Sequence, residues 1–298
     1  MPELPEVETV ARGLQREIAG QEILSITLGK TDFIDNPEAL ERELPGRTIV
    51  RVERYGKFML LRLRANHATY GDTEESALLV HLGMTGSLAP QAVSVPQRKH
   101  THVVMQLADG RELRYVDPRR FGRMAYLTGE PLLQELQRFG ADPLEADLPE
   151  FIARVQYRKS RIKALLLDQT VFRGVGNIYA DESLWKARIH PAQLGSRLNR
   201  RQLKELYEVL QTILKKAILL RGSSISDFLD ADGEPGEYQQ HHRVYGRDGK
   251  RCFRCQTIIR RIIVAGRSSY FCPNCQQAPR ARKKTRATKL RKQRGRTG

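Results

Sequence analysis

The chain begins Met1-Pro2-Glu3-Leu4-Pro5-Glu6-Val7-Glu8, which sets a carboxyl group beside a residue whose nitrogen could become a terminal secondary amine. Methionine ahead of a small residue is commonly trimmed, and trimming would free the Pro2 nitrogen. Such an amine attacks an aldehyde-like sugar carbon to give an iminium ion. That ion has no N–H proton to lose, so it keeps its charge and acts as an electron sink. An α-amino group titrates at about 7.7–8.0, so roughly a tenth to a fifth is free base at neutral pH without tuning. Read alone, Pro2 is also a stub left by processing, and Glu3 a first-turn carboxylate favoured by its helix dipole.

A second set of reactive side chains lies at the other end. Cys252, Cys255, Cys272 and Cys275 form two CxxC pairs separated by sixteen residues, and the chain has no other cysteine. This is zinc-ribbon spacing, with four thiolates and no open position, so one structural Zn2+ is expected. Disulfides are the alternative, disfavoured in a reducing compartment. Apolar runs at 257–259 and 262–264, with Tyr270-Phe271 before the second pair, read as a β-hairpin. Six basic and no acidic residues stand between Lys250 and Phe271. That charge suits a nucleic-acid backbone; a protein-binding ribbon is the other reading.

The formal net charge is +17 over 298 residues, which points to a polyanionic partner, nucleic acid first. Ten of those positive charges lie in 280–298, where there is no acid, and setting them aside leaves +7 on the body. No run of eighteen apolar residues is present, and the N-terminus shows neither a signal core nor a transit segment. A cytosolic protein with reduced thiols is expected.

These residues need elements to position them. Val7, Val10, Ala11, Leu14 and Ile18 fall at helical spacing, stopped by Gly20. Strand-like runs follow at 23–28, 48–63, 77–82, 101–107 and 112–116, the last two joined by an Asp109-Gly110 turn. Residues up to about 130 therefore read as a β-sandwich with a helix packed on it. From 151 to 221 the pattern is helical: Ile162, Leu165 and Leu166 on one helix, Leu184 and Trp185 on the next, and a long stripe from Leu203 to Ala217 on a third. Gly174-Val175-Gly176-Asn177 between the first two reads either as a phosphate cradle at a helix N-terminus or as an interhelical turn. Residues 223–242 read as a long loop of the kind that serves as a lid.

The opening PELPEVET and the C-terminal four-cysteine ribbon resemble the formamidopyrimidine-DNA glycosylase family. Further family-like segments stand in order: Gly56-Lys57-Phe58, His81-Leu82-Gly83-Met84-Thr85-Gly86, Lys99-His100-Thr101-His102, Asp117-Pro118-Arg119-Arg120-Phe121-Gly122, the GVGNIYADE run from Gly174 to Glu182, Val244-Tyr245-Gly246-Arg247 and Gly266-Arg267. The resemblance implies an α+β multidomain fold: an N-terminal β-sandwich domain (1–135), a helix–two-turn–helix domain with a lesion-capping loop (136–236) and a zinc finger (237–279). The basic segment 280–298 falls outside the family pattern and reads as a disordered tail.

The same resemblance implies a monomeric, cytoplasmic enzyme of bacterial type acting on duplex DNA that contains oxidised bases or abasic sites, with no membrane partner. It would remove oxidised purines, chiefly 8-oxoguanine and formamidopyrimidines, and then cut the strand. Pro2 matches the family's nucleophile at the deoxyribose C1′, and Glu3 the acid that helps open the sugar. Lys57 matches the general acid or phosphate clamp of β-elimination, and Arg267 the ribbon-tip residue of δ-elimination. Met84, Arg119 and Phe121 match the wedge that fills the gap when a base is flipped out. His100, Arg158 and Asn177 match DNA-backbone contacts. Taken without the family, Met84 and Phe121 read as core residues and Lys57 as solvated surface.

Two rivals stay open here. One is an endonuclease VIII-like glycosylase for oxidised pyrimidines, although Leu4 follows the purine branch. The other is a non-catalytic zinc-ribbon nucleic-acid-binding protein, which gives no reason for Pro2-Glu3 at the terminus.

Overall fold

The computed structural model describes residues 1–66, 75–224 and 233–279. Helix α1 (Leu4–Ile18) leads into strand β1 (Glu22–Leu28), helix α2 (Pro37–Glu43), β2 (Arg47–Tyr55), β3 (Phe58–Ala65), β4 (Ser76–His81), β5 (Ser87–Ala92), β6 (Thr101–Leu107), β7 (Arg111–Val116) and β8 (Arg123–Thr128). Helices α3 (Gly129–Gln137), α4 (Leu148–Gln156), α5 (Ile162–Leu167), α6 (Asn177–Lys186) and α7 (Arg200–Leu219) follow, then strands β9 (Arg260–Val264) and β10 (Arg267–Phe271). The tail 280–298 and residues 225–232 of the expected capping loop lie outside the described residues.

Strands β1–β8 form one antiparallel sheet in the order β5-β7-β6-β1-β2-β3-β4-β8. It folds over on itself, so Leu88 and Tyr115 from one end share a core with Val80 and Met124 from the other. Register slips between Ile23 and Ser25 and between Ile49 and Arg51 supply bends that folding requires. The expected sandwich is thus a single sheet packed against itself. The run expected at 48–63 is two strands, because Gly56, at φ +65°, opens a tight turn that pairs Tyr55 with Phe58. That turn puts Lys57 at a strand end.

α1 belongs to two cores. Val7, Val10, Ala11, Leu14 and Ile18 pack inside the folded sheet, while Leu4 packs with the helices against Val175, Tyr179 and Leu214. Arg54 ties the halves a second time, donating to Glu8 at 2.7 Å and to the buried Asp142 at 2.6 Å. α3 runs across the 135/136 boundary expected from sequence, and its Leu132 packs on Leu60, Leu79 and Ala125 of the sheet. The loop expected to extend to 242 ends earlier: Tyr238–His241 make a 3-10 turn, and Tyr238 is buried among the helices.

α6 is enclosed on all sides, with every residue from Ile178 to Trp185 buried. α7 starts with a reciprocal cap between Asn199 and Gln202 and buries one stripe from Leu203 to Ala217. In the ribbon, Ala265 (φ +50°) and Gly266 (φ +70°) make the two-residue turn of the β9–β10 hairpin, the mirror-image geometry that tight hairpins favour. Arg267 therefore stands at the hairpin tip.

Candidate active site and nucleic-acid interface

A cavity of about 660 Å3 opens where the folded sheet, the helices and the ribbon tip meet. Glu3, Lys57, Met84, Phe121, Asn177 and Arg267 line it, so six of the ten residues expected to act on or bind DNA converge from three separate parts of the chain. Pro2 is buried next to Glu3, and Met1 before it lines the cavity. His100, Arg119 and Arg158 are exposed and stand outside the cavity wall. A groove of about 670 Å3 beside the cysteines carries Arg188, Arg197 and Arg254 but no carboxyl group. The acid and the amines collect in the first cavity.

Two helix N-termini converge on Glu3. It caps α1, and its carboxyl group accepts from the backbone N–H of Ile178 at 2.9 Å and of Tyr179 at 3.4 Å, in the first turn of α6. This corrects the phosphate-cradle reading of Gly174-Val175-Gly176-Asn177. The free N–H groups of Ile178 and Tyr179 face Glu3, and Gly176 makes room for it while Gly174 makes room for Leu4. A Cβ on Gly176 would sit 2.2 Å from the Glu3 carboxyl carbon, and one on Gly174 would sit 2.9 Å from Leu4. Burial pushes the Glu3 carboxyl above its usual range, against the opposing pull of Lys57 and the α6 backbone.

Lys57 is buried, where sequence alone reads a solvated surface lysine. Burial draws its ammonium below the usual lysine range; Glu3 opposes this and Arg267 adds to it. His81, not singled out from sequence, lines the same wall. Its Nδ1 accepts from the Gly83 N–H at 3.0 Å, so the neutral ring carries its proton on the other nitrogen. Burial, followed by Lys57 and Arg123, pushes its pKa down to about 4. Tyr245 also lines the cavity unforeseen.

Behind Glu3 lies Glu6, another residue without an assigned role in the sequence. It accepts from the Glu3 N–H at 2.8 Å, the Tyr179 hydroxyl at 2.5 Å and the Ser223 N–H at 2.7 Å. Burial, then the neighbouring Glu3, raises its pKa to about 7.

The rim is built differently. Met84 is 42% exposed and Phe121 56% exposed, so neither is a core residue. The Arg119 guanidinium stacks on the Phe121 ring at 4.4 Å. Their loops touch through backbone: a Cβ on Gly83, at φ +61°, would lie 2.4 Å from the Phe121 carbonyl carbon. Asp117 pins both loops. Its buried carboxylate accepts from the Thr85 hydroxyl at 2.7 Å, the Gly122 N–H at 3.0 Å, the Arg119 N–H at 3.2 Å and the Tyr115 hydroxyl at 3.2 Å. Its own N–H donates to the His100 carbonyl at 3.1 Å, which brings the His100 backbone to the same hub. Sequence reading had Asp117 only as a letter in a motif, because hydrogen bonds between loops 32 residues apart leave no periodic signal.

The ribbon tip is held by buried charge. Lys163 Nζ donates to the Ser268 carbonyl at 2.7 Å and pairs with Asp181 at 2.7 Å, and Asp181 accepts from the Tyr270 N–H at 3.0 Å. Glu182 accepts from the N–H groups of Arg243, Val244 and Tyr245, all at 2.9 Å. Neither Asp181 nor Glu182 was foreseen; their signal was submerged in an otherwise helical run.

The four cysteine sulfurs lie within 4.8 Å of one another and none is in a disulfide. Four thiols that close fit one tetrahedral divalent ion better than four competing neutral groups. Cys252, Cys255, Cys272 and Cys275 would hold it.

Such a combination of folded sheet, helix–two-turn–helix region and four-cysteine ribbon around a terminal Pro-Glu defines a class of DNA-repair glycosylase. The comparisons agree. Three family profiles match in order: the formamidopyrimidine-DNA glycosylase N-terminal domain over residues 1–124, its H2TH domain over 139–229, and the zinc finger found in FPG and IleRS over 249–278. A formamidopyrimidine-DNA glycosylase of Herpetosiphon aurantiacus is 43% identical over 281 residues, covering 93% of this chain and all of the relative. One from Solibacter usitatus is also 43% identical, with the same coverage. Among solved structures, Lactococcus lactis Fpg bound to abasic-site DNA superposes with a TM-score of 0.83 at 36% identity, over 93% of this chain and 100% of that one. The chain belongs to the formamidopyrimidine-DNA glycosylase family. It is a DNA glycosylase with abasic-site lyase activity. Among the described residues, no helix is long and apolar enough to cross a membrane.

Proposed function

We propose that the protein excises oxidised purines from duplex DNA through the Pro2 amine and then cleaves the strand by β,δ-elimination. The observation that carries this reading is the meeting of Glu3, Lys57 and Arg267 in one cavity next to Pro2. With Met1 removed, the Pro2 nitrogen attacks C1′ as the bond to the damaged base breaks and the base leaves with a proton. Glu3, kept protonatable by burial, gives its proton to the ring oxygen as the sugar opens, leaving an iminium. Loss of a C2′ proton then expels the 3′ phosphate beside Lys57. Loss of a C4′ proton expels the 5′ phosphate beside Arg267, and water releases the enzyme. Lys57 is buried next to Glu3 and responds to its charge, which suits it to pass a proton or hold a phosphate there.

Met84 and Phe121 fill the gap left by the flipped nucleotide, with Arg119 beside them at the phosphates. His100, Arg158 and Asn177 contact the backbone. Zinc bound to the four cysteines is structural: it stabilises the ribbon and so holds Arg267 at the cavity. DNA carrying abasic sites or Fapy-dG occupies related Lactococcus lactis structures, which supports the same partner here. One such complex contains an oxidised pyrimidine, and that favours a second, minor activity on pyrimidine lesions.

The test is borohydride trapping on duplexes containing either 8-oxoguanine opposite cytosine or an oxidised pyrimidine. A covalent adduct that maps to Pro2 and forms faster on the purine lesion is expected. An adduct on Lys57 would overturn the nucleophile, and faster trapping on the pyrimidine would overturn the substrate class.

A further inference from the structure

The groove of about 670 Å3 beside the cysteines shares no lining residue with the cavity around Glu3. The two open at opposite ends of the same elements. Asn177 and Ile178, at the N-terminus of α6, face the cavity, and Arg188, just past its C-terminus, faces the groove. The ten residues of α6 span about 15 Å between them. Likewise Arg267, at the β9–β10 tip, lines the cavity, whereas Asn274, beyond the other end of the hairpin, lines the groove.

The groove is built for an anion. Arg188 and Arg197 are exposed, and no carboxylate among the described residues pairs with either. Arg254 adds a third charge held in place, stacked on Trp185 at 4.4 Å and donating to the Trp185 carbonyl at 3.3 Å. Gln193, Gln202 and Asn274 add amide groups. Guanidinium and amide side chains are the ones that hold phosphodiester oxygens without reading bases.

Arg188 stands there against its backbone preference. Its φ is +57°, in a helix-ending turn where its N–H donates to the Trp185 carbonyl at 3.1 Å and the Ile189 N–H to the Leu184 carbonyl at 2.9 Å. Glycine is the usual residue at this position of that turn, and an arginine carries strain there. The side chain is exposed, so packing does not demand it. What the position gains is a charge at the groove.

We propose that this groove is a second nucleic-acid site, which takes the phosphate backbone of a neighbouring duplex while another duplex occupies the cavity. Two observations favour DNA over an acidic protein. The family's partner is itself a long polyanion whose other segments lie close by. The chain also leaves the groove at Pro279 and continues into 280–298, which carries ten positive charges and no acid. Those charges cannot fill a cationic groove, but they add to its attraction for the same backbone. A second site lets the enzyme pass from one duplex to the next without full release. No step of base excision enters this inference, so its failure would leave that reading untouched.

The test uses the full-length, Zn2+-loaded protein saturated with a short duplex that carries a tetrahydrofuran abasic analogue. A second, labelled, undamaged duplex is then added. Sedimentation followed at two wavelengths should show both duplexes on one protein, and absence of that complex would overturn the proposal. Arg188→Gly with Arg197→Gln should keep the Tm or raise it, since glycine suits the turn, and should leave the first duplex bound as before. Binding of the second duplex should weaken, and its slope of log K against log salt should become shallower by about 2, for two phosphates released. An unchanged slope would assign the second duplex to another surface and sink the groove. Loss of Zn2+ from the variant would do the same, by showing that the arginines serve to neutralise the thiolates. A groove that takes a poly-glutamate peptide but no duplex would be a protein-docking site, and would also overturn the proposal.

Discussion

The floor and the rim of the cavity invert the ordinary sorting of side chains in opposite senses. The floor buries charge: Glu3, Glu6 and Lys57 are all removed from water. The rim exposes apolar surface: Met84 and Phe121 stand in solvent. Ordinary proteins do the reverse. Under the proposed mechanism the floor needs desolvation, because an acid and an amine would exchange protons near neutral pH and burial moves their pKa values toward each other. Under the same proposal the rim needs exposure, because a wedge cannot enter a base stack from inside a core. Each inversion is stabilised by hydrogen bonds elsewhere: α6 N–H groups hold Glu3, and Asp117 holds the two rim loops.

If the floor is chemical, its substitutions should act on rate. Glu3→Gln keeps the shape and removes the proton, so single-turnover base excision should fall on the order of 10²–10⁴-fold. Cleavage of a pre-formed abasic site should fall much less. Equal loss in the two assays would move Glu3 to a later step.

Asp117 joins the two senses, since it is a buried charge that serves the rim. Asp117→Ala leaves four donors without their acceptor and should destabilise the fold by roughly 1–3 kcal/mol in denaturant titrations. Excision per folded molecule should also drop, because Met84 and Phe121 lose a common support. Full excision by the folded fraction would show that the wedge loops hold themselves.

Met84→Ala should separate rim from core most cleanly. An exposed site predicts a stability change within about 0.5 kcal/mol, with non-specific DNA binding preserved because phosphate contacts supply that term. Lesion excision should still fall, since the gap filler that offsets unstacking is gone. A large loss of stability with unchanged excision would return Met84 to the core.

The smallest expected effect is a pH slope. Glu6 has its pKa raised to about 7, so its protonated form is the one the fold favours. Its contribution to stability is fully present below about pH 4.5, the unperturbed value, and is lost as pH rises through about 7. Glu6→Gln should remove that decline. Denaturation midpoints at pH 5 and pH 8 should differ less in the variant than in the parent, and an equal difference would show that Glu6 does not titrate in this window.

Much of this molecule is legible in its residues, and the failures share a cause. β1, β6, β7 and the Asp109-Gly110 turn follow from alternation and a turn pair. β5 and β8 escaped because Pro90 and Gln91 interrupt one and half-buried positions blur the other. The merged run at 48–63 hid a turn because apolar residues continue on both sides of Gly56-Lys57. The cysteines announced themselves by spacing, since two local CxxC turns are enough to build half a metal site each.

The sequence by itself determined the local grammar: the helix stripes, the CxxC pairs, the terminal Pro-Glu, the tight hairpin that carries Arg267, and a cluster of motifs dense enough to name a family. Only the tertiary structure decided what those residues experience. That Lys57 is buried, that Gly176 before α6 admits Glu3 instead of a phosphate, and that Asp117 ties the Met84 loop to the Phe121 loop depend on contacts between segments as far as 32 and 175 residues apart. Burial and long-range hydrogen bonds depend on which surfaces meet, and a linear pattern records only which face of each element is apolar.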